Sequence, residues 1–199
     1  ERLAAPNMRC PRGHYCPNGT VTSDPQRNDT TLRPYPCTPG TYCLAGVGDK
    51  RVKKGDYAYA QPCFPGFYCE SASVDPKGSG ECPAGFYCPE GTGLPIPTPR
   101  GFYAERKGTV SPARCLPGKY APTLQTEACK PCPPGTACEN DGMAVATICS
   151  PGFYRSIEFD DDGEEVDGLP CRACPQGSWS KNWELREVGE CSKCPTGVV

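Results

Sequence analysis

Apolar side chains along this chain do not recur every three or four residues, and no window holds a helical period. Aromatic residues recur instead at a fixed offset from glycine. The mark Gly-x-aromatic falls at Gly13-Tyr15, Gly40-Tyr42, Gly55-Tyr57, Gly66-Tyr68, Gly85-Tyr87, Gly101-Tyr103, Gly118-Tyr120, Gly152-Tyr154 and Gly177-Trp179. Gly135 carries Ala137 where the aromatic belongs. A proline often precedes the glycine. Proline presets φ near −65° and glycine accepts positive φ, so each mark predicts a tight turn followed by a short strand. The expected elements are strands of two to four residues, turns and coil.

Cysteine completes the phrase. It reads Cys10-Pro-Arg-Gly-His-Tyr-Cys16, Cys37-Thr-Pro-Gly-Thr-Tyr-Cys43, Cys63-Phe-Pro-Gly-Phe-Tyr-Cys69 and Cys82-Pro-Ala-Gly-Phe-Tyr-Cys88, with Cys132-Pro-Pro-Gly-Thr-Ala-Cys138 as a variant. Gly101, Gly118, Gly135 and Gly152 are evenly spaced, while the other intervals vary. A repeated phrase too small to bury its own core implies a quasi-one-dimensional array. The predicted fold class is therefore small disulfide-rich repeats, with little regular secondary structure, short β-hairpins and an extended rod-like array.

Composition supports this. Of 199 residues, 17 are Cys, 23 Gly and 25 Pro. Leu, Ile, Val and Phe are too few for a conventional core, so cross-links must take its place. Net charge is only −2, so repulsion is not what prevents collapse. One histidine, His14, leaves little room for mixed Cys/His zinc sites. Disulfides are the expected state of the cysteines, which places the chain in an oxidising, extracellular or cell-surface setting reached through the secretory pathway. No apolar run approaches the length of a membrane span, so direct membrane insertion by this segment is not expected. The odd number of cysteines, and a secreted character without a signal peptide, suggest a piece of a larger protein.

The chain divides by its grammar. Residues 1–9 read as an upstream tail or linker. Residues 10–114 form an array of Cys-x-x-Gly-x-Tyr-Cys units. Within it lie a long polar insert between Cys16 and Cys37, the basic run Arg51-Val-Lys53-Lys54, and a proline-rich stretch over 89–100 that reads as a stiff extended connector. From Cys115 the cysteine after tyrosine is lost, and Cys-x-x-Cys pairs arrive at Cys129/Cys132, Cys171/Cys174 and Cys191/Cys194.

The phrase Cys115-Leu-Pro-Gly-Lys-Tyr, followed by Cys129-Lys-Pro-Cys132-Pro-Pro-Gly, resembles the ephrin-receptor-like cysteine-rich repeat family. The stretches Cys149 to Cys174-Pro-Gln-Gly and Cys174 to Cys194-Pro-Thr-Gly are similar to it. Such repeats look like relatives of EGF-like and tumour necrosis factor receptor modules. They occur in large cell-surface and adhesion proteins, in receptor ectodomains and in flagellar-hair (mastigoneme-type) proteins. Residues 115–199 carry the resemblance well, and 10–114 carry it through a variant with an extra cysteine. The family implies no catalytic residues.

Two sequential pairings are open. In one, Cys10–Cys16, Cys37–Cys43, Cys63–Cys69, Cys82–Cys88, Cys115–Cys129, Cys132–Cys138, Cys149–Cys171 and Cys174–Cys191 pair, and Cys194 reaches into a next unit. Over 115–191 this is the pairing that the resemblance implies. In the other, Cys16–Cys37, Cys43–Cys63, Cys69–Cys82, Cys88–Cys115 and Cys138–Cys149 pair, Cys10 is left over, and all three Cys-x-x-Cys pairs close on themselves. Such tight loops strain disulfide geometry, which favours the first. Interleaved pairings are a further alternative.

Other signals are weak. The Cys-x-x-Cys pairs run into Pro-Gly turns rather than a helix start, so a redox role is not expected. The acidic insert Asp160–Asp167 places Leu169 where an EF-hand needs its bidentate Glu, and it reads as a surface loop. His14 has no companions for a catalytic triad. Catalytic, cofactor and metal residues are therefore none. Asn18-Gly-Thr20 and Asn28-Asp-Thr30 are N-glycosylation acceptors on the polar insert. The expected function is that of a structural or adhesive segment of a large glycoprotein, a stapled spacer and assembly surface. Its partners would be other protein chains or copies of itself, with no nucleic acid. The alternative is a ligand-binding receptor ectodomain; an enzyme has no supporting residues.

Overall fold

The computed structural model describes residues 10–16, 33–47, 49–52, 59–159, 161 and 170–195. Among them there is no α-helix, and the one helical turn is the 3-10 segment Val188–Glu190. Everything else regular is a strand of two to four residues. Contacts divide the chain into two compact units. The first comprises Glu1–Pro97 with Glu105–Ser111, and the second Thr98–Ala104 with Pro112–Val199.

Each repeat begins with the predicted turn. In Phe64-Pro65-Gly66-Phe67 the Phe67 amide donates to the Phe64 carbonyl at 3.1 Å, and Gly66 sits at φ +85°. That is a type II turn, which requires positive φ at its third residue. The next two residues form the first strand of a hairpin. In the first unit His14–Tyr15 pairs antiparallel with Tyr35–Pro36, Phe67–Tyr68 with Gly80–Glu81, and Phe86–Tyr87 with Ile96–Pro97. Thr41–Tyr42 pairs with Tyr59–Pro62, which is also joined in parallel by Asp49–Val52. In the second unit Phe102–Tyr103 pairs with Ala113–Arg114, and Lys119–Tyr120 with Lys130–Pro131. Thr136–Ala137 pairs with Thr147–Ile148, Phe153–Tyr154 with Arg172–Ala173, and Ser178–Trp179 with Ser192–Lys193.

The stretch 89–100 is not the extended connector expected from its prolines. Ile96–Pro97 is the second strand of a hairpin, and 89–92 makes a turn sealed by the Thr92 hydroxyl on the Pro89 carbonyl at 2.6 Å. Proline is tolerated there because a two-residue edge strand asks for few donors.

A hairpin of this size is not stable alone. The core is instead built of sulfur and small side chains. Cys37, Cys43, Val47 and Ala60 form one buried cluster with Tyr15 packed on it. Tyr42, Cys63 and Cys69 form another, with Leu44 against it. The larger apolar side chains Leu94, Leu116, Phe159 and Trp183 stay mostly exposed.

Candidate functional site

The candidate site is the repeat seam, where one stapled turn meets the next. Four backbone bonds recur along it. The amide of the residue that opens a repeat donates to the previous turn glycine's carbonyl. Cys37 donates to Gly13, Cys63 to Gly40 and Cys82 to Gly66 in the first unit, at 2.9, 3.0 and 2.9 Å. In the second unit Cys115 donates to Gly101, Cys132 to Gly118, Cys149 to Gly135 and Cys174 to Gly152. The glycine's own amide donates forward to the residue after the next repeat's aromatic, as Gly40 does to Cys69 and Gly118 to Cys138. The two remaining bonds run to a loop beyond that aromatic. Cys69 donates to Thr92 and Gly91 to Cys63 in the first unit; Ala121 donates to Met143 and Gly142 to Cys115 in the second.

The loop has its own positional rule, which sequence reading did not find. One residue is left-handed, and the residue after it accepts the seam bond. The left-handed position is held by Gly46, Ala72, Gly91 and Gly108 in the first unit and by Gln125, Gly142 and Glu184 in the second. The acceptor is a hydroxyl residue in Ser73, Thr92, Thr109 and Thr126, each bonding back to a carbonyl three residues earlier. Glycine is required at the turn for a second reason. A Cβ on Gly66 would lie 2.7 Å from the Gly108 carbonyl oxygen, and one on Gly135 would lie 2.6 Å from that of Glu184.

Sixteen cysteines form eight disulfides: Cys10–Cys16, Cys37–Cys43, Cys63–Cys69, Cys82–Cys88, Cys115–Cys129, Cys132–Cys138, Cys149–Cys171 and Cys174–Cys191. These are the first of the two sequential pairings. Their Cα–Cα separations run from 5.6 to 6.2 Å, within the range a disulfide spans. The two cysteines of each Cys-x-x-Cys belong to different repeats: Cys129 closes back on Cys115, and Cys132 closes forward on Cys138. Among the described residues Cys194 alone is unpaired, and its amide bonds to Gly177 as a repeat-opening residue does.

The position after the aromatic decides which closure is used. Cysteine there gives the six-residue staple. Ala121, Arg155 and Ser180 stand there in repeats that close later, on Cys129, Cys171 and Cys191. Arg155 is buried, and its Nη1 donates to the carbonyls of Cys132 and Pro133 at 3.1 and 3.3 Å. A guanidinium thus ties this repeat to its predecessor. The repeat Thr98-Pro-Arg-Gly101-Phe-Tyr-Ala104 has neither cysteine; Thr98 and Ala104 occupy both positions and are buried.

Asn18 and Asn28 lie outside the described residues, as do Lys53, Lys54, Gly55, Tyr57 and most of the acidic insert. Of that insert Asp161 is described and exposed. His14 is half-buried, its Nδ1 3.1 Å from the Arg12 carbonyl. Among the described residues no group of three His, Cys, Asp or Glu is placed to hold a metal, and no helix is long and apolar enough to cross a membrane.

Comparison with protein-family models finds no match, and comparison with curated proteins finds no relative. The findings support a disulfide-stabilised module of the kind typical of oxidising, extracellular compartments.

Proposed function

We propose that this chain is a spacer and assembly segment of a larger extracellular glycoprotein, related to ephrin-receptor-like cysteine-rich repeats and without catalytic activity. The observation that carries this reading is the recurrence of the same seam bonds in each unit, with a disulfide in all but one of the repeats described in full. Such a segment resists stretching because its length is locked inside staples. A six-residue closure with its ends about 6 Å apart hides roughly 15 Å of contour, and the Cys149–Cys171 closure roughly 70 Å.

Single-molecule force extension tests it. The oxidised chain should reach a limiting length well short of its full contour, and reductant should release the remainder in steps. An oxidised chain that already extends to full contour would remove the basis for a spacer role.

A further inference from the structure

Sulfur pins every other repeat described in full, and the repeat 98–114 has none. The run from Cys88 to Cys115 is the longest between successive disulfides along the chain, and this repeat lies wholly inside it. Hydrogen bonds dock it on both sides. Toward the following repeat, Ala104 donates to the Thr126 carbonyl and Gln125 to the Thr98 carbonyl, at 3.0 and 3.2 Å. Toward the preceding one, Gly108 donates to the Cys82 carbonyl at 2.8 Å, and Cys88 donates to the Thr109 carbonyl at 2.9 Å. Apolar burial adds little. Ala104 is buried, Phe102 and Tyr103 are half-buried, and Val110 is 44% exposed. The staples on either side, Cys82–Cys88 and Cys115–Cys129, do not depend on this repeat being docked. Each of the eight disulfides lies within one compact unit, and the chain passes between the units over 97–112.

We infer that the repeat 98–114 is the chain's reversible extension joint, which opens under load before the stapled repeats and closes again when the load falls. A repeat with neither a staple nor an apolar core is held by hydrogen bonds alone. Opening exchanges those bonds for bonds to water, so the net cost of each is small. It frees the run from Pro97 to Cys115, roughly 60 Å of contour. No covalent bond breaks, so the docked state re-forms without redox chemistry. Length held inside the disulfide closures is released only by a reductant. The inference rests on the spacer reading for the source of the load, and it is tested without load as well as with it.

Hydrogen exchange of the oxidised chain, followed by NMR, tests the joint without load. The Gly108 and Ala104 amides should be at least tenfold less protected than those of Gly91 and Ala121, which make the same seam bonds in stapled repeats. Equal protection within either pair would overturn the proposal. Force extension of the oxidised chain, held by its ends, tests it under load. The first gain in length should be reversible and no longer than roughly 60 Å. Thr98→Cys with Ala104→Cys, oxidised, should shorten that gain by roughly 15 Å and leave later gains unchanged. A longer first gain, or one that the added disulfide does not change, would also overturn the joint. If the double variant does not close, the exchange comparison decides. An oxidised chain that reaches full contour defeats the spacer reading instead, and the exchange result still stands.

Discussion

The Thr126 amide donates a 2.9 Å hydrogen bond to the Thr98 hydroxyl oxygen, and Thr98 is fully buried. The hydroxyl faces the Thr126 carbonyl in return at 3.4 Å. Thr98 stands where other repeats place the first sulfur of a staple. The Ala104 amide donates to the same Thr126 carbonyl at 3.0 Å, so Thr126 bonds to both positions that a staple would join, and the repeat 98–104 carries no disulfide.

Two changes at this repeat should act in opposite directions. Thr98→Ala leaves the buried Thr126 amide without the hydroxyl and should cost about 1–3 kcal/mol locally. Faster hydrogen exchange at Thr126 would report it. The double change Thr98→Cys with Ala104→Cys should close a ninth disulfide, because the positions match Cys63 and Cys69. The cross-link should contribute about 2 kcal/mol in the chain-entropy model against the loss of the Thr98 hydroxyl, read as a mass loss of two hydrogens and a denaturation midpoint above that of Thr98→Ala.

Turn glycines should not be equivalent. Gly66→Ala adds a Cβ 2.7 Å from the Gly108 carbonyl oxygen at φ +85°. It should cost well over the roughly 1–2 kcal/mol of left-handed strain alone. Gly177→Ala meets no atom within 4 Å at φ +78°, so it should cost that strain and little more. Denaturant titration under oxidising conditions separates the two.

Arg155 should behave as a structural tie. Arg155→Ala removes two hydrogen bonds to backbone carbonyls and the packing of a long buried side chain, with an expected loss of about 3 kcal/mol. Arg155→Lys should recover only part of it, because an ammonium cannot reproduce the guanidinium fork. Exchange rates of the Cys149 and Arg155 amides give the comparison.

Much of this was legible in the sequence. Pro-Gly followed by an aromatic announces the turn through φ alone, and the seven-residue cysteine phrase announces the short staple. The second closure mode was one of the pairings left open, implied by the resemblance over 115–191 and favoured because Cys-x-x-Cys pairs that close on themselves would strain. What sequence did not reveal depends on backbone conformation. The left-handed loop position is glycine at Gly46, Gly91, Gly108 and Gly142 but not at Ala72, Gln125 or Glu184, so no single residue type marks it. Its distance from the preceding aromatic also varies. The role of Arg155 was hidden because its ligands are carbonyls, which carry no sequence signal. The hairpin at Ile96–Pro97 was obscured by prolines that read as a linker. Thr98 and Ala104 were readable in principle, by laying Thr98-Pro-Arg-Gly-Phe-Tyr-Ala104 over the cysteine phrase.

The polar insert carries a separate expectation. Asn18 and Asn28 lie in sequence between the stapled phrases Cys10–Cys16 and Cys37–Cys43, and at least one should bear a glycan when the chain is expressed through a secretory pathway. Intact-peptide mass spectrometry of material from a glycosylating host decides it. Unmodified peptides over both positions would point to a loop inaccessible to the glycosylation machinery.

The central claim is that sulfur staples stand in for an apolar core. The most direct measurement is the amide NMR spectrum of the chain before and after complete reduction and alkylation. Dispersed resonances should collapse into the narrow window of an unfolded chain throughout both units. Native dispersion surviving in the alkylated chain would contradict the account.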